Sequence, residues 1–310
     1  KETQVEEKPE SQTGLKVLGK IDLSKFEKPK KEIIKGKENL YIIDTNVFVD
    51  CPEIISKIDK QYQVILSAKV IDELDYWAEL AVEGHFRGRL PWLDYHEFVR
   101  DDLAHLVGAL PGEVVAMNTL SVNLHLLMVS FYRPTSERPA ILVEKSAFPS
   151  DRYAVEAQVR FHGFDPATAL IEIEPDQPGG TLSDKAILRA IDEHGSRIAL
   201  VMLPGVQYLT GQALDLAAIT RQAHAKGCIV GFDLAHAVGN IHVNLHDSGC
   251  DFAVWCSYKY LNSGPGAVAG AFVHERHANT DRPRFAGWWG HEKSTRFQMG
   301  PEFRPTPGAD

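Results

Sequence analysis

Hydrophobic positions along this 310-residue chain fall into a repeating series from about residue 95 onward. Tyr95–Leu110 carries Phe98, Leu103, Leu106 and Val107 at helical spacing. Glu113–Met117 reads as a strand, Ser121–Phe131 as an aliphatic helix, Ile141–Glu144 as a strand and Asp151–Phe161 as a helix. Ala169–Ile173 is the next strand. The PDQPGG run after it makes a loop, and Ser183–Glu193 forms a helix that Gly195 can end. Ile198–Leu203, Leu214–Lys226 and Cys228–Phe232 follow as strand, helix and strand, and Phe252–Cys256 and Ala267–Val273 close the series. Continuous apolar strands separated by amphipathic helices predict an α/β fold with a mostly parallel sheet covered on both faces. Ligands of such sheets bind beyond the C-terminal strand ends, so residues that follow strands are the first candidates for chemistry.

Ahead of that series the patterning changes. Residues 1–38 are polar, rich in Lys and Glu and nearly free of aromatics, which predicts a disordered tail. Residues 39–75 hold two short apolar runs, Leu40–Ile43 and Gln63–Ser67, and the second leads into a helix at Val70-Ile71-Asp72-Glu73-Leu74-Asp75. Composition sharpens the division. Residues 1–75 contain thirteen Lys, no Arg and no His, whereas residues 76–310 contain five Lys, fifteen Arg and all thirteen His. Both surfaces need cations, and folding does not dictate a different one for each. Such a split is what a join between two coding backgrounds produces. A Lys-rich tail on an ordinary domain accounts for residues 1–38 but poorly for the globular pattern of 39–75. The expected organisation is therefore 1–38 tail, 39–75 partial module and 76–310 α/β body.

Bulk properties narrow the function classes. The chain is 44% hydrophobic and 24% charged, as soluble globular proteins are. It has no apolar run of membrane-spanning length, and its first residues lack the layout of a secretory signal. Cys51, Cys228, Cys250 and Cys256 form no C-x-x-C pair, and a reducing cytoplasm is the expected compartment. The net charge of −9 argues against nucleic acid as the main partner.

Three stretches carry candidate chemistry. Gly231-Phe232-Asp233 delivers a carboxylate at a strand end, Trp255-Cys256-Ser257-Tyr258-Lys259 delivers a lysine, and Phe148-Pro149-Ser150-Asp151 places an aromatic ring before a helix. An acid, a lysine twenty-six residues later and an upstream aromatic are the parts of a pyridoxal-phosphate site. The lysine condenses with the aldehyde, the acid keeps the pyridine nitrogen protonated and the aromatic fixes the ring plane. Leu120-Ser121, at a strand-to-helix junction, can hold an anion on helix amides and a hydroxyl, and Tyr258 is a further phosphate donor. Each residue has a structural alternative: Lys259 can snorkel to water, Asp233 can cap a turn, and Phe148 and Tyr258 can pack in the core. Separately, Asp44 at a strand end and Glu73 entering a helix can converge on Mg²⁺ or Mn²⁺. Equally, they can serve as a turn cap and a solvated helix face.

Longer motifs bring resemblances. FDLAHAVGN, DFAVWCSYKYLN, AFPSDRYAVE and MNTLSVNLHLLMVSFYRPT, with VEGHFRGRLPWLDYHEF and GWWGHEKSTRFQM, are similar to kynureninase segments in family order, over about residues 77–310. The resemblance implies an aspartate-aminotransferase-type (fold type I) large domain and pyridoxal 5′-phosphate as cofactor. It also implies hydrolysis of L-kynurenine and 3-hydroxykynurenine to anthranilate, or its 3-hydroxy form, and L-alanine, in tryptophan catabolism towards NAD. It implies a homodimer with shared active sites. Carried over by residue, Lys259 is the aldehyde-bonding lysine and Asp233 the pyridinium partner. Phe148 is the stacking ring, with Pro149, Ser150 and Asp151 beside it. Leu120, Ser121, His236 and Tyr258 complete the cofactor contacts. Trp288 reaches the neighbouring subunit's phosphate and His85 lines the substrate pocket. Pro204 stands where some relatives have a hydroxyl residue. The family also has parts ahead of Trp77 and beyond Asp310, including an arginine for the substrate carboxylate. Slight turnover by these 310 residues alone is therefore the expectation. A cysteine desulfurase would share the Lys and Asp, but Cys228, Cys250 and Cys256 all fall in or beside strands rather than in a mobile loop. IDTNVFVD with VIDELD resembles the opening of PIN-domain ribonucleases, with Asp44 and Glu73 on its first two metal carboxylates. A metal-dependent nuclease and a non-catalytic chimera therefore stand as further readings of the chain. TGLKVLGKIDLSKFEKPKKE resembles the linker of bacterial translation initiation factor two.

Overall fold

A computed structural model describes residues 40–42, 63–65, 80–88, 91–175, 177 and 180–309. The expected tail, Cys51 and the two acids Asp44 and Glu73 lie outside the described residues. The chain divides between Val82 and Glu83 into two units, a few residues beyond the composition break. In the first, β1 (Leu40–Ile42) and β2 (Gln63–Ile65) fall inside the two apolar runs and pair in parallel, Leu40 opposite Gln63.

The second unit carries the alternating series. Its strands are β3 (Val114–Ala116), β4 (Ala140–Glu144), β5 (Leu170–Ile173), β6 (Ile198–Pro204), β7 (Ile229–Asp233), β8 (Phe252–Trp255) and β9 (Gly270–Val273). Its helices are α1 (Arg100–Val107), α2 (Leu120–Phe131), α3 (Pro149–Phe161), α4 (Pro166–Ala169), α5 (Asp184–His194), α6 (Leu216–Ala225) and α7 (Leu245–Ser248). The strands form one sheet in the order β3-β9-β8-β7-β6-β4-β5. β9 runs antiparallel to both its neighbours, and the other pairings are parallel, as the apolar strand runs required.

Side-chain alternation along each strand feeds two cores. Leu142, Val201, Leu203, Val230, Phe232 and Trp255 face one layer, with α1, α5, α6 and α7. Ile141, Val143, Leu200, Met202, Phe252 and Val254 face the other, with α2 and α3. Helix starts are capped by side chains as their sequences allow: Ser183 Oγ accepts from the Ala186 amide at 3.2 Å and Asp215 Oδ1 from the Ala218 amide at 2.9 Å. The single helix expected over Tyr95–Leu110 is instead a 3₁₀ turn, Trp92–Glu97, followed by α1. Pro91 sets the extended entry to that tight turn. Gly108 ends α1 with φ +61°, where a Cβ would sit 2.8 Å from the Asn244 backbone.

At the N-terminal ends of the parallel strands, Arg138 acts as a clasp. Its guanidinium donates to the carbonyls of Gly195, Ile198 and Lys226 at 2.8–2.9 Å. Among the described residues no helix is long and apolar enough to cross a membrane.

Candidate active site

β4, β6 and β7 are adjacent and parallel, so their last residues, Glu144, Pro204 and Asp233, reach the same edge of the sheet. There they border a cleft of about 720 Å³. The first turn of α2 contributes Leu120 and Ser121. The entry to α3 contributes Phe148, Ser150 and Asp151. The segments after β7 and β8 contribute His236, Tyr258 and Lys259. The fold thus brings together nine sequence-derived candidates. Pro149 is the first residue of α3, where its missing N–H costs no helical bond. Two candidates stand apart. The His85 ring meets Trp92 edge-on at 5.2 Å, and Trp288 donates its indole N–H to the Arg296 carbonyl at 3.0 Å.

Lys259 Nζ lies 3.0 Å from His236 Nε2 and 5.4 Å from the centre of the Phe148 ring. Phe148 is 40% exposed at the cleft wall, braced edge-on by Tyr208 at 5.2 Å. Burial, the Lys259 ammonium next, holds His236 below its ordinary value although Asp233 opposes the shift. The imidazole is therefore neutral near pH 7, and its Nε2 can accept from Lys259.

Acidic groups dominate the floor. Asp233 is buried and accepts from the Ala235 amide at 2.6 Å. Glu144 is buried, with Gln207 Nε2 at 3.4 Å from its Oε1. Burial pushes its carboxyl up to about 7, Asp233 adding to the effect and Gln207 working against it. Asp151 is also buried, and its Oδ1 has no hydrogen-bond partner. Burial first, then the facing carboxyl of Asp233, drive Asp151 far above the carboxylate range, and Lys259 offsets only part of this. Three buried carboxyls thus share the cleft with one lysine ammonium. The group that fits such a floor brings its own positive charge, as a protonated ring nitrogen does. The amides and the Ser121 hydroxyl at the start of α2 suit an anionic substituent on the same ring.

Sequence reasoning missed Glu144, Gln207 and Tyr208. Only Glu144 left a signal there, as the one charge closing an otherwise apolar strand, Ala140-Ile141-Leu142-Val143-Glu144. The cysteines weighed against a desulfurase, Cys228, Cys250 and Cys256, are all buried.

A family model for aminotransferase class-V matches residues 92–286, and the chain belongs to that family. Among curated relatives it is 68% identical over 243 residues to a kynureninase of Xanthomonas euvesicatoria pv. vesicatoria (strain 85-10), covering 78% of this chain and 57% of that protein. A kynureninase of Stenotrophomonas maltophilia (strain K279a) is 67% identical over 244 residues, covering 78% and 58%. The chain therefore spans 57–58% of the length of these relatives. Solved structures share the fold at low identity. A cysteine desulfurase from Thermococcus onnurineus NA1 aligns with TM-score 0.59 at 19% identity, covering 77% of this chain and 58% of that one. The cystine C-S lyase C-DES, complexed with cysteine persulfide, aligns with TM-score 0.60 at 18% identity, covering 78% and 61%. A PIN-domain model matches residues 41–84.

Proposed function

We propose that residues 76–310 form the cofactor-binding body of a pyridoxal-phosphate kynureninase. Its reaction is hydrolysis of L-kynurenine, or 3-hydroxykynurenine, to anthranilate or 3-hydroxyanthranilate and L-alanine. The observation that carries the reading is the cleft itself: one ammonium, Lys259, against three buried carboxyls, in a chain 68% identical to a kynureninase over 78% of its length. When bound, pyridoxal phosphate supplies an electron sink for bonds at the substrate α-carbon.

The side chains supply binding and proton movement. Lys259 is the amine that would bond the aldehyde, and His236 Nε2, 3.0 Å away, accepts a hydrogen bond from it and so orients the nitrogen. The Lys259 amine would also be the base placed to take the substrate α-proton. Asp233 retains the proton on the ring nitrogen, with Asp151 beside it. Phe148 forms the platform, and Leu120, Ser121 and Tyr258 take the phosphate. His85 lines the substrate pocket. Two copies pair, with Trp288 of each reaching the other's phosphate. The exposed cluster of Trp288, Trp289 and Phe297 supports that pairing. Residues 39–75 are read as a separate PIN-like segment joined to this body, supported by the β1–β2 parallel pair and the change of composition.

Borohydride reduction of the protein incubated with pyridoxal phosphate, followed by peptide mapping, tests the site. The reduced adduct is expected on Lys259, and an adduct centred on another lysine overturns the assignment. Anthranilate fluorescence with L-kynurenine, set against alanine release from L-cysteine, separates the kynureninase reading from that of a desulfurase.

A further inference from the structure

At the sheet end away from Lys259, three distant chain segments meet. Glu113 precedes β3, His274 follows β9 and His246 lies in α7. β3 and β9 are antiparallel neighbours, Val114 opposite Phe272, which brings Glu113 and His274 to the same edge. Glu113 is buried and held in place by the amides of Leu110 and Glu275, each at 2.8 Å. Its Oε1 lies 3.0 Å from His246 Nδ1 and 3.6 Å from His274 Nδ1. The two imidazoles stack with centroids 5.1 Å apart, and one ligand atom from each of the three residues lies within 4.8 Å of the others. His274 Nδ1 accepts from the Arg276 amide at 3.2 Å, so it is the unprotonated ring nitrogen, and its one lone pair would exchange this long bond for a metal. A lone pair on nitrogen and a carboxylate oxygen at this spacing suit a cation between them.

We propose that Glu113, His246 and His274 form a binding site for a borderline divalent transition metal of the Zn²⁺ type. Two imidazoles and one carboxylate match that class, whereas Mg²⁺ and Ca²⁺ take oxygen ligands. Metal–ligand bonds of about 2.0–2.2 Å give tetrahedral ligand–ligand edges of roughly 3.3–3.6 Å. Of the two contacts to Glu113 Oε1, the one at 3.6 Å lies at the top of this range and the one at 3.0 Å just below it. The His246 side chain is 31% exposed, so solvent reaches one side of the group. Its place at the sheet end opposite the cleft, joining α7 to the segments that flank β3 and β9, makes this a tie between elements, apart from the chemistry of Lys259.

The full chain, stripped of metal by chelation, is titrated with Zn²⁺ by calorimetry and with Co²⁺ by visible absorption. One saturable equivalent is expected, with a Co²⁺ d–d band and a raised melting temperature. His246→Gln and His274→Ala should each weaken binding at least tenfold and abolish the band. His246→Gln retains a donor for Glu113, so it separates loss of a ligand from loss of the fold, and the far-ultraviolet circular dichroism of both variants is compared with the parent. No saturable binding by the parent, or undiminished binding in a folded variant, overturns the site. Neither variant touches the cleft, so adduct formation at Lys259 reports separately on the proposed activity.

Discussion

Replacing Glu144 by glutamine takes a charge out of a place that water barely reaches. The residue is 4% exposed, and burial lifts its carboxyl from an ordinary 4.5 to about 7. Between those values the folded protein holds a proton that the unfolded chain has released. Stability therefore falls as pH rises through this window and stays reduced above it. At about 1.4 kcal/mol per pH unit, the loss reaches roughly 3 kcal/mol by pH 8. The amide of Glu144→Gln never ionises, and its carbonyl can still accept from Gln207. The variant is expected to exceed the parent by up to about 3 kcal/mol at pH 8 and to match it near pH 4.5. That gain corresponds to roughly 6–10 °C in melting temperature for a body of this size. Urea titrations of the cofactor-free proteins at both pH values measure it, and titrating groups outside the cleft cancel in the difference. An equal gain at both pH values, or a parent more stable at pH 8, would show that Glu144 is ionised and compensated, and the reasoning fails.

Other perturbations test the frame. Asp251 accepts from His224, His277 and the Val230 amide at 2.7–2.9 Å, so Asp251→Ala should destabilise by about 3 kcal/mol or more, and a melt lowered by under one degree would contradict this. Burial alone would raise the Asp251 carboxyl, but those hydrogen bonds hold it below the carboxylate range. Its stabilisation is present above about pH 4 and lost as pH falls below that, so Asp251→Asn should flatten the acid limb of a stability–pH curve. Gly270→Ala would place a Cβ 2.2 Å from the Trp255 indole, and overpacking of about 1–3 kcal/mol is expected in denaturant unfolding. Arg138→Lys keeps the charge but loses the fork that spans three carbonyls, with an expected cost of about 2 kcal/mol; unchanged unfolding would make the clasp incidental.

The strands were legible because β4, β6, β7 and β8 are buried on both faces and read as unbroken apolar runs. Asp233 and Lys259 were legible because each follows such a run. Glu144 was not. A lone Glu closing a strand looks like the start of a turn, and only the β4–β6–β7 order places it beside Asp233. The 3₁₀ turn of Trp92–Glu97 escaped because the apolar spacing that marked the helix, at Phe98, Leu103 and Val107, lies beyond the turn and says nothing of its geometry. The Glu113–His246–His274 group was invisible for a topological reason. Its members lie up to 161 positions apart and meet through an antiparallel pairing that periodicity cannot reveal.

The Arg138 clasp holds its strands from one end only. Gly195, Ile198 and Lys226 are gathered where β6 and β7 begin, and Glu144, Pro204 and Asp233 stand where β4, β6 and β7 finish. A slip of one residue would turn every side chain of a strand to the opposite layer, so the clasp fixes which residues each strand presents at its far end. Segments such as 209–213 and 260–269 are then free to change length or composition without disturbing that choice. The rim of the cleft can drift through these segments while the positions of the strand-end acids are inherited unchanged.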